Sequence, residues 1–228
     1  WKGDFWVLLD HVVAQGMDDV TLKIKVQMML QRVASNTETM VHGDLHSGSV
    51  MSTPTDSRVI DPEFVQYGPM GFDMGMLIAN FLMSYFSQPA HRDDGLLAFQ
   101  EWILDVIKDT CEAFEVEFRR LWTSERTGML YARPLFEDQG QDSMPACDAV
   151  LAQIWQDAWA FCGIEMHRRC LSLAHNAAFE DIANESVRAP LEARNLMMGA
   201  ELIHASQSLS GPAALCAMAR AFNEKDIL

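Results

Sequence analysis

The sequence predicts a mostly helical α+β fold, with helices arranged around one small β-hairpin. Two observations predict it. Apolar residues recur at helical spacing through most of the 228 residues. Strand-like character is confined to residues 49–51 and 58–60, joined by the turn Thr53-Pro54-Thr55-Asp56.

The helices follow in order. Residues 4–15 are apolar enough for a first helix. Residues 19–35 form a second, where Val20, Ile24, Met28 and the run 30–33 recur at helical spacing and Asp18-Asp19 complement the dipole at its start. Asn36-Thr37-Glu38-Thr39 breaks the pattern and leads to the hairpin. Beyond Phe64, the Gly68-Pro69 pair predicts a loop without regular structure. Residues 72–86 are hydrophobic all round, which predicts a helix buried at the centre. Asp73 in its first turn reads as a cap or dipole partner. Residues 88–95 read as a polar loop, and 96–122 as a helix with a break near Thr110. Residues 132–145 read as a long surface loop. Residues 148–178 form the clearest amphipathic helix, with the stripe Leu151, Ile154, Trp155, Ala158, Trp159 and Cys162. On it, the two tryptophans read as core and His175 as a core or capping histidine. A helix over 188–206 takes Pro190 in its first turn, and Ser210-Gly211-Pro212 opens a last one reaching 223.

Bulk properties exclude some functions. A net charge of −15 without a basic run argues against nucleic-acid backbone binding. Any polyanionic ligand then needs metal ions and a local positive group. The longest apolar run, 74–83, is too short to span a bilayer and carries Asn80, so no membrane partner is expected. Five scattered cysteines without CxxC spacing predict reduced thiols and a cytoplasmic protein.

The chemistry concentrates in Val41-His42-Gly43-Asp44-Leu45-His46-Ser47-Gly48-Ser49-Val50 and, past the hairpin, Val59-Ile60-Asp61-Pro62-Glu63-Phe64. A hairpin returns the end of its second strand beside the start of its first. Asp44 is therefore expected near Asp61 and Glu63. Gathering carboxylates is costly unless a cation or a reacting proton occupies the gap. That pattern predicts a divalent-metal site with a separate proton acceptor. Phosphoryl transfer needs those groups: an acceptor for the hydroxyl proton, carboxylates for Mg²⁺ and positive charge on the phosphates. His42 reads as a packing residue that holds the loop by a hydrogen bond.

Residues 41–73 resemble the catalytic and metal loops of the aminoglycoside-phosphotransferase-like branch of the protein-kinase superfamily. Within it, His42-Gly43-Asp44-Leu45-His46, Asp61-Pro62-Glu63 and Tyr67-Gly68-Pro69-Met70-Gly71-Phe72-Asp73 resemble the 5-methylthioribose kinases, as does Ser49 where the branch usually has Asn. The resemblance implies a kinase-like fold and ATP-dependent phosphorylation of a small sugar at its 1-hydroxyl. Asp44 would be the base, and Asp61 with Glu63 the Mg²⁺–ATP ligands. It also implies that Arg168 and Arg169 reach the sugar and phosphate region, and that the protein is a homodimer. Consecutive helical residues point about 100° apart, so the two arginines cannot share one solvated face. The plainer reading pairs one of them with Glu165 at i+3 or i+4, worth tenths of a kcal/mol.

A kinase also needs a glycine-rich loop and a strand lysine. No Gly-x-Gly-x-x-Gly occurs, and residues 1–40 are helical in pattern. Residues 1–228 are therefore expected to be a C-terminal lobe, weakly active or inactive alone. Rival readings are a kinase of another small alcohol, such as an aminoglycoside or choline, and a non-catalytic, degenerate kinase lobe. A third is a metallophosphoesterase using His42, Asp44 and His46.

Overall fold

The computed structural model describes residues 4–172 and 175–225, with side chains from residue 8 onward. Helices α1 (Asp4–Asp18) and α2 (Val20–Ser35) open the chain. Asp19 caps α2: its carboxylate accepts the Leu22 N–H at 2.9 Å and lies 2.7 Å from His204 Nε2. These hydrogen bonds, the backbone one foremost, hold its carboxyl below the usual range.

The helical period of α2 is as expected, but its stripe Val20, Ile24 and Met28 faces outward, while Leu22 and Met29 are buried. Met29 packs on Ala160 and Phe161, and Arg32, one turn on, donates to Asp157 at 2.5 Å. That contact selects the inward face. Burial pushes the Asp157 carboxyl up, against the pull of Arg32 and Gln153. Arg32→Ala leaves a buried carboxylate without its cation, for which losses of about 3–5 kcal/mol are typical. Because the Arg32 side chain is 26% exposed, the low end is expected. The loss is greatest at neutral pH. It shrinks as acid protonates Asp157, because a raised folded-state pKa disfavours the charged form alone. Urea melts at pH 7 and pH 5 check this.

Four three-residue strands follow: β1 (Thr39–Val41), β2 (Val50–Ser52), β3 (Ser57–Val59) and β4 (Gln66–Gly68). The expected hairpin is β2–β3, antiparallel with Met51 opposite Arg58. The second sheet is a correction. β1 pairs antiparallel with β4, Met40 opposite Tyr67, in a stretch expected to lack regular structure. This places residue 41, at the start of the Asp44 loop, against the segment that leads into the central helix.

Helix α3 (Gly71–His91) is buried at the centre, as its all-round apolarity predicts, but runs through the expected polar loop to His91. Pro89 lacks an N–H for the Tyr85 carbonyl, and buried Gln100 donates to that carbonyl instead, at 3.0 Å. Helix α4 (Leu96–Ser124) continues unbroken past Thr110, whose hydroxyl is taken up by the Val106 carbonyl at 2.7 Å. The following loop is irregular, as expected, with turns at Arg133–Leu135 and Glu137–Gln139. It is tied down where Arg126 and Ser143 meet Glu137, whose carboxyl drops to about 2, Arg126 being the main cause.

Helix α5 (Met144–Leu171) starts earlier than expected, with Pro145 tolerated in the first turn, and ends at Leu171. His175 therefore lies beyond the helix and is exposed, neither core nor cap. The expected stripe is buried, with Trp155 and Trp159 stacked at 5.1 Å in the core. The helix is not amphipathic over its second half, where 157–163 are all buried. Helix α6 (Ala177–Glu180) is a single turn. Helix α7 (Glu185–Ala205) starts three residues early because Asn184 caps it, which leaves Pro190 inside rather than in the first turn. Helix α8 (Pro212–Glu224) matches expectation.

The main core joins α3, α4, α5, α7 and α8, through residues such as Leu82, Phe86, Ile107, Trp159, Met198 and Leu215. Among the described residues all five cysteines are unpaired, and no helix is long and apolar enough to cross a membrane.

Candidate functional site

The loop after β1 is built by backbone constraints. Gly43 has φ 88°, and a Cβ there would stand 2.2 Å from the Phe64 carbonyl oxygen, so glycine alone fits. That close approach lays the segment after β3 directly alongside the Asp44 loop. His42 does what its sequence position suggested. Its Nδ1 accepts the Asp44 N–H at 3.4 Å, so its Nε2–H donates to the Ile60 carbonyl at 2.9 Å. One tautomer thus ties both sides of the site together. Ser49, buried, donates to the Asp44 carbonyl at 3.3 Å.

Asp73 is more than the helix cap expected. Its two oxygens accept the backbone N–H groups of His42 at 2.5 Å and Gly43 at 3.0 Å, so the first turn of α3 clamps the loop. Hydrogen bonds to a charged partner are worth about 1.5–3 kcal/mol each. Asp73→Asn keeps one carbonyl acceptor and offers an amide to the other N–H. Amide exchange at His42 and Gly43 is expected to rise at least tenfold while α4 and α7 stay protected, as hydrogen-exchange mass spectrometry would report.

Asp44 stands with a 25% exposed side chain where α5 passes the loop. Its Oδ1 accepts from Arg169 Nη2 at 2.6 Å and Arg168 Nη2 at 3.2 Å. Its Oδ2 is 3.8 Å from His46 Nε2. Both arginines are also bound to Glu165, which is buried: Arg168 Nε at 2.6 Å and Arg169 Nε at 2.6 Å. The Glu165 pairing and the cleft-facing arrangement, alternatives on sequence grounds, coexist. The Glu165 hydrogen bond is the main cause raising the Arg168 guanidinium above its ordinary value, with Asp44 adding to it.

A cavity of about 400 Å³ opens here, lined by Gly43, Asp44, Phe64, Glu165 and Arg168 together with Phe72, Met76, Phe161 and Ile164. Phe72 and Phe161 meet edge to face at 5.0 Å. Of these four apolar residues, Phe72 fell within a motif quoted from the sequence, while Met76, Phe161 and Ile164 were not singled out. The spacing of Phe72 and Met76, four apart on one helix face, is the one local signal that existed.

Asp61 and Glu63 are exposed in the loop beside Gly43 and Phe64, with Asp61 at φ 64°, a conformation Asp tolerates. They do not line the cavity, and among the described residues no group of three or more His, Cys, Asp and Glu side chains is placed to hold a metal ion. The loops are neighbours, but Asp44 turns to the arginines, because a carboxylate gains more from two guanidiniums than from two like charges. The same fact weakens the metallophosphoesterase reading, since His42 already bonds on both ring nitrogens.

Asp44, in a loop clamped by Asp73 of the following helix, is thus a carboxylate set against two fixed guanidiniums. Residues 11–108 match the phosphotransferase enzyme family, whose fold is protein-kinase-like. The particular relatives are methylthioribose kinases. That of Escherichia coli O45:K1 (strain S88 / ExPEC) is 37% identical over 198 residues, covering 86% of this chain and 47% of that protein. Methylthioribose kinase 1 of Oryza sativa subsp. japonica is 34% identical over 192 residues, 82% of this chain and 44% of its own. The Bacillus cereus (strain AH820) enzyme is 37% identical over 200 residues, 88% and 47%. The chain is a homologue of these kinases and spans about half the length of the curated relatives it matches.

Proposed function

We propose that this chain is the catalytic and substrate-binding lobe of a small-molecule kinase that transfers the γ-phosphoryl group of ATP to the 1-hydroxyl of 5-methylthioribose, in methionine salvage. The observation that carries this reading is the cavity at Asp44, lined by apolar side chains and by Arg168, with Arg169 bonded to the same Asp44 oxygen. An apolar wall of two phenylalanines and a methionine suits a methylthio group, because thioethers pack well against aromatic rings. The arginines suit the phosphoryl end and repel a cationic aminoglycoside or choline.

In this reading Asp44 accepts the proton of the attacking hydroxyl. With no substrate bound, Oδ1 accepts from both arginines and Oδ2 lies 3.8 Å from His46 Nε2. Arg168 and Arg169 offer positive charge to the phosphoryl oxygens. Asp61 and Glu63 are hard oxygen donors of the kind Mg²⁺ takes alongside substrate phosphates, and they would hold the metal. Mg²⁺ when bound neutralises charge on the nucleotide phosphates. The glycine-rich nucleotide lobe would be supplied by sequence beyond these residues. Unpaired thiols suit a reducing compartment, so we assign the protein to the cytoplasm.

Calorimetric titration of the chain with free sugars tests the substrate assignment without needing turnover. Methylthioribose is expected to bind about tenfold more tightly than ribose, the worth of burying the methylthio group. Kanamycin is expected not to bind. Equal affinity for ribose, or preference for kanamycin, overturns the assignment.

A further inference from the structure

Glu165 has no part in the chemistry above, yet it is the most buried charged group at the site, with a side chain 4% exposed. A carboxylate this buried normally satisfies a partner for structural ends. Here both partners are the residues aimed at Asp44. Its Oε2 takes the Arg168 Nε–H, and its Oε1 takes the Arg169 Nε–H and the Arg168 Nη2–H, at 2.6, 2.6 and 2.9 Å. A guanidinium is planar, so fixing its Nε–H fixes where its other nitrogens point. The two Nη2 groups, from residues about 100° apart around α5, consequently meet on one oxygen atom, Asp44 Oδ1.

We propose that Glu165 is the positioning residue of the arginine pair, holding both Nη2 groups on the one point that serves as the seat of a phosphate oxygen in the proposed reaction. The proposal rests on the kinase reading only for the identity of the phosphate's bearer. Asp44 Oδ1 fills the seat when no anion is bound. A phosphate oxygen that replaces it leaves each arginine still bound to Glu165, so the pair is never without a carboxylate while the anion enters or leaves. Without Glu165, Asp44 would be the pair's sole carboxylate in the cleft, and an incoming phosphate would have to displace it.

Titration of the whole chain with inorganic phosphate, followed by calorimetry, tests this, with melting temperatures measured in parallel. Glu165→Gln is expected to weaken phosphate binding at least tenfold. A role limited to charge predicts the opposite sign, because deleting a negative charge beside two arginines strengthens anion binding. Glu165→Asp keeps the charge but is too short to span both Nε groups, so it too is expected to bind phosphate more weakly than the parent. It also serves as the test should Glu165→Gln not fold. Arg169→Ala is expected to abolish binding. Phosphate affinity in Glu165→Gln equal to or above the parent's overturns the proposal, as does parental affinity in Glu165→Asp or in Arg169→Ala. If phosphate binds and responds as expected while methylthioribose does not bind, the substrate assignment fails and the positioning role stands.

Discussion

On the proposed kinase reading, Asp44→Asn is expected to lose about 10²–10⁴-fold in kcat, the usual worth of a positioned proton acceptor. Nucleotide affinity should change little, because the carboxylates assigned to the metal, Asp61 and Glu63, are untouched and lie outside the cavity that Asp44 lines. The asparagine oxygen can still accept from Arg168 and Arg169, so the arginine pair keeps a partner and the loop keeps its clamp from Asp73. The variant therefore separates chemistry from architecture. Steady-state kinetics with titration of MgADP would report it. Equal losses in turnover and nucleotide affinity would make Asp44 a metal ligand instead of the base.

Gly163→Ala is expected to destabilise the fold. Helices usually gain from this change, because alanine has the higher propensity by about 1 kcal/mol. Here the sign reverses. A Cβ on Gly163 would stand 2.4 Å from the Gly199 carbonyl oxygen and 2.8 Å from Ile203 Cγ1. The nearer obstacle is backbone, so relief requires α5 and α7 to move apart, and α7 carries Leu196, Met198 and Leu202 into the core. Overpacking of this kind costs about 1–3 kcal/mol, which for a chain this long lowers Tm by roughly 2–12 °C. Gly16→Ala, at a helical position where the new Cβ would meet only Leu22 Cδ2 at 3.9 Å, is the control and should be neutral or stabilising. A Gly163→Ala protein as stable as the parent would mean that the two helices are not in backbone contact.

How much of this was legible beforehand follows from how far apart in sequence the determining contacts lie. The Asp44 loop and the hairpin were readable because their residues are contiguous: Asp44, the glycine beside it and the Asp61-Pro62-Glu63 turn fall within twenty-odd residues. The central position of α3 was readable for a related reason, since a helix with no polar face has to be buried. The β1–β4 pair was not readable. Strands of three residues carry no alternation, and their partners are 25 to 29 residues apart in sequence. The outward face of α2 was misleading in a different way. Its apolar stripe is periodic, but Arg32 finds Asp157, 125 residues away, and that one pairing turns the helix.

The site divides along the same line. Residue types and local order along the chain were enough to single out Asp44, Asp61 and Glu63 as the carboxylates to examine, and His42 as a strut. Which charges meet was decided only by folding. Asp44 lies 124 and 125 residues from the arginines it bonds, and Glu165 becomes part of the site only because α5 passes directly beside the loop. Coulomb attraction and desolvation depend on distance and burial, quantities that exist only once the helices have packed.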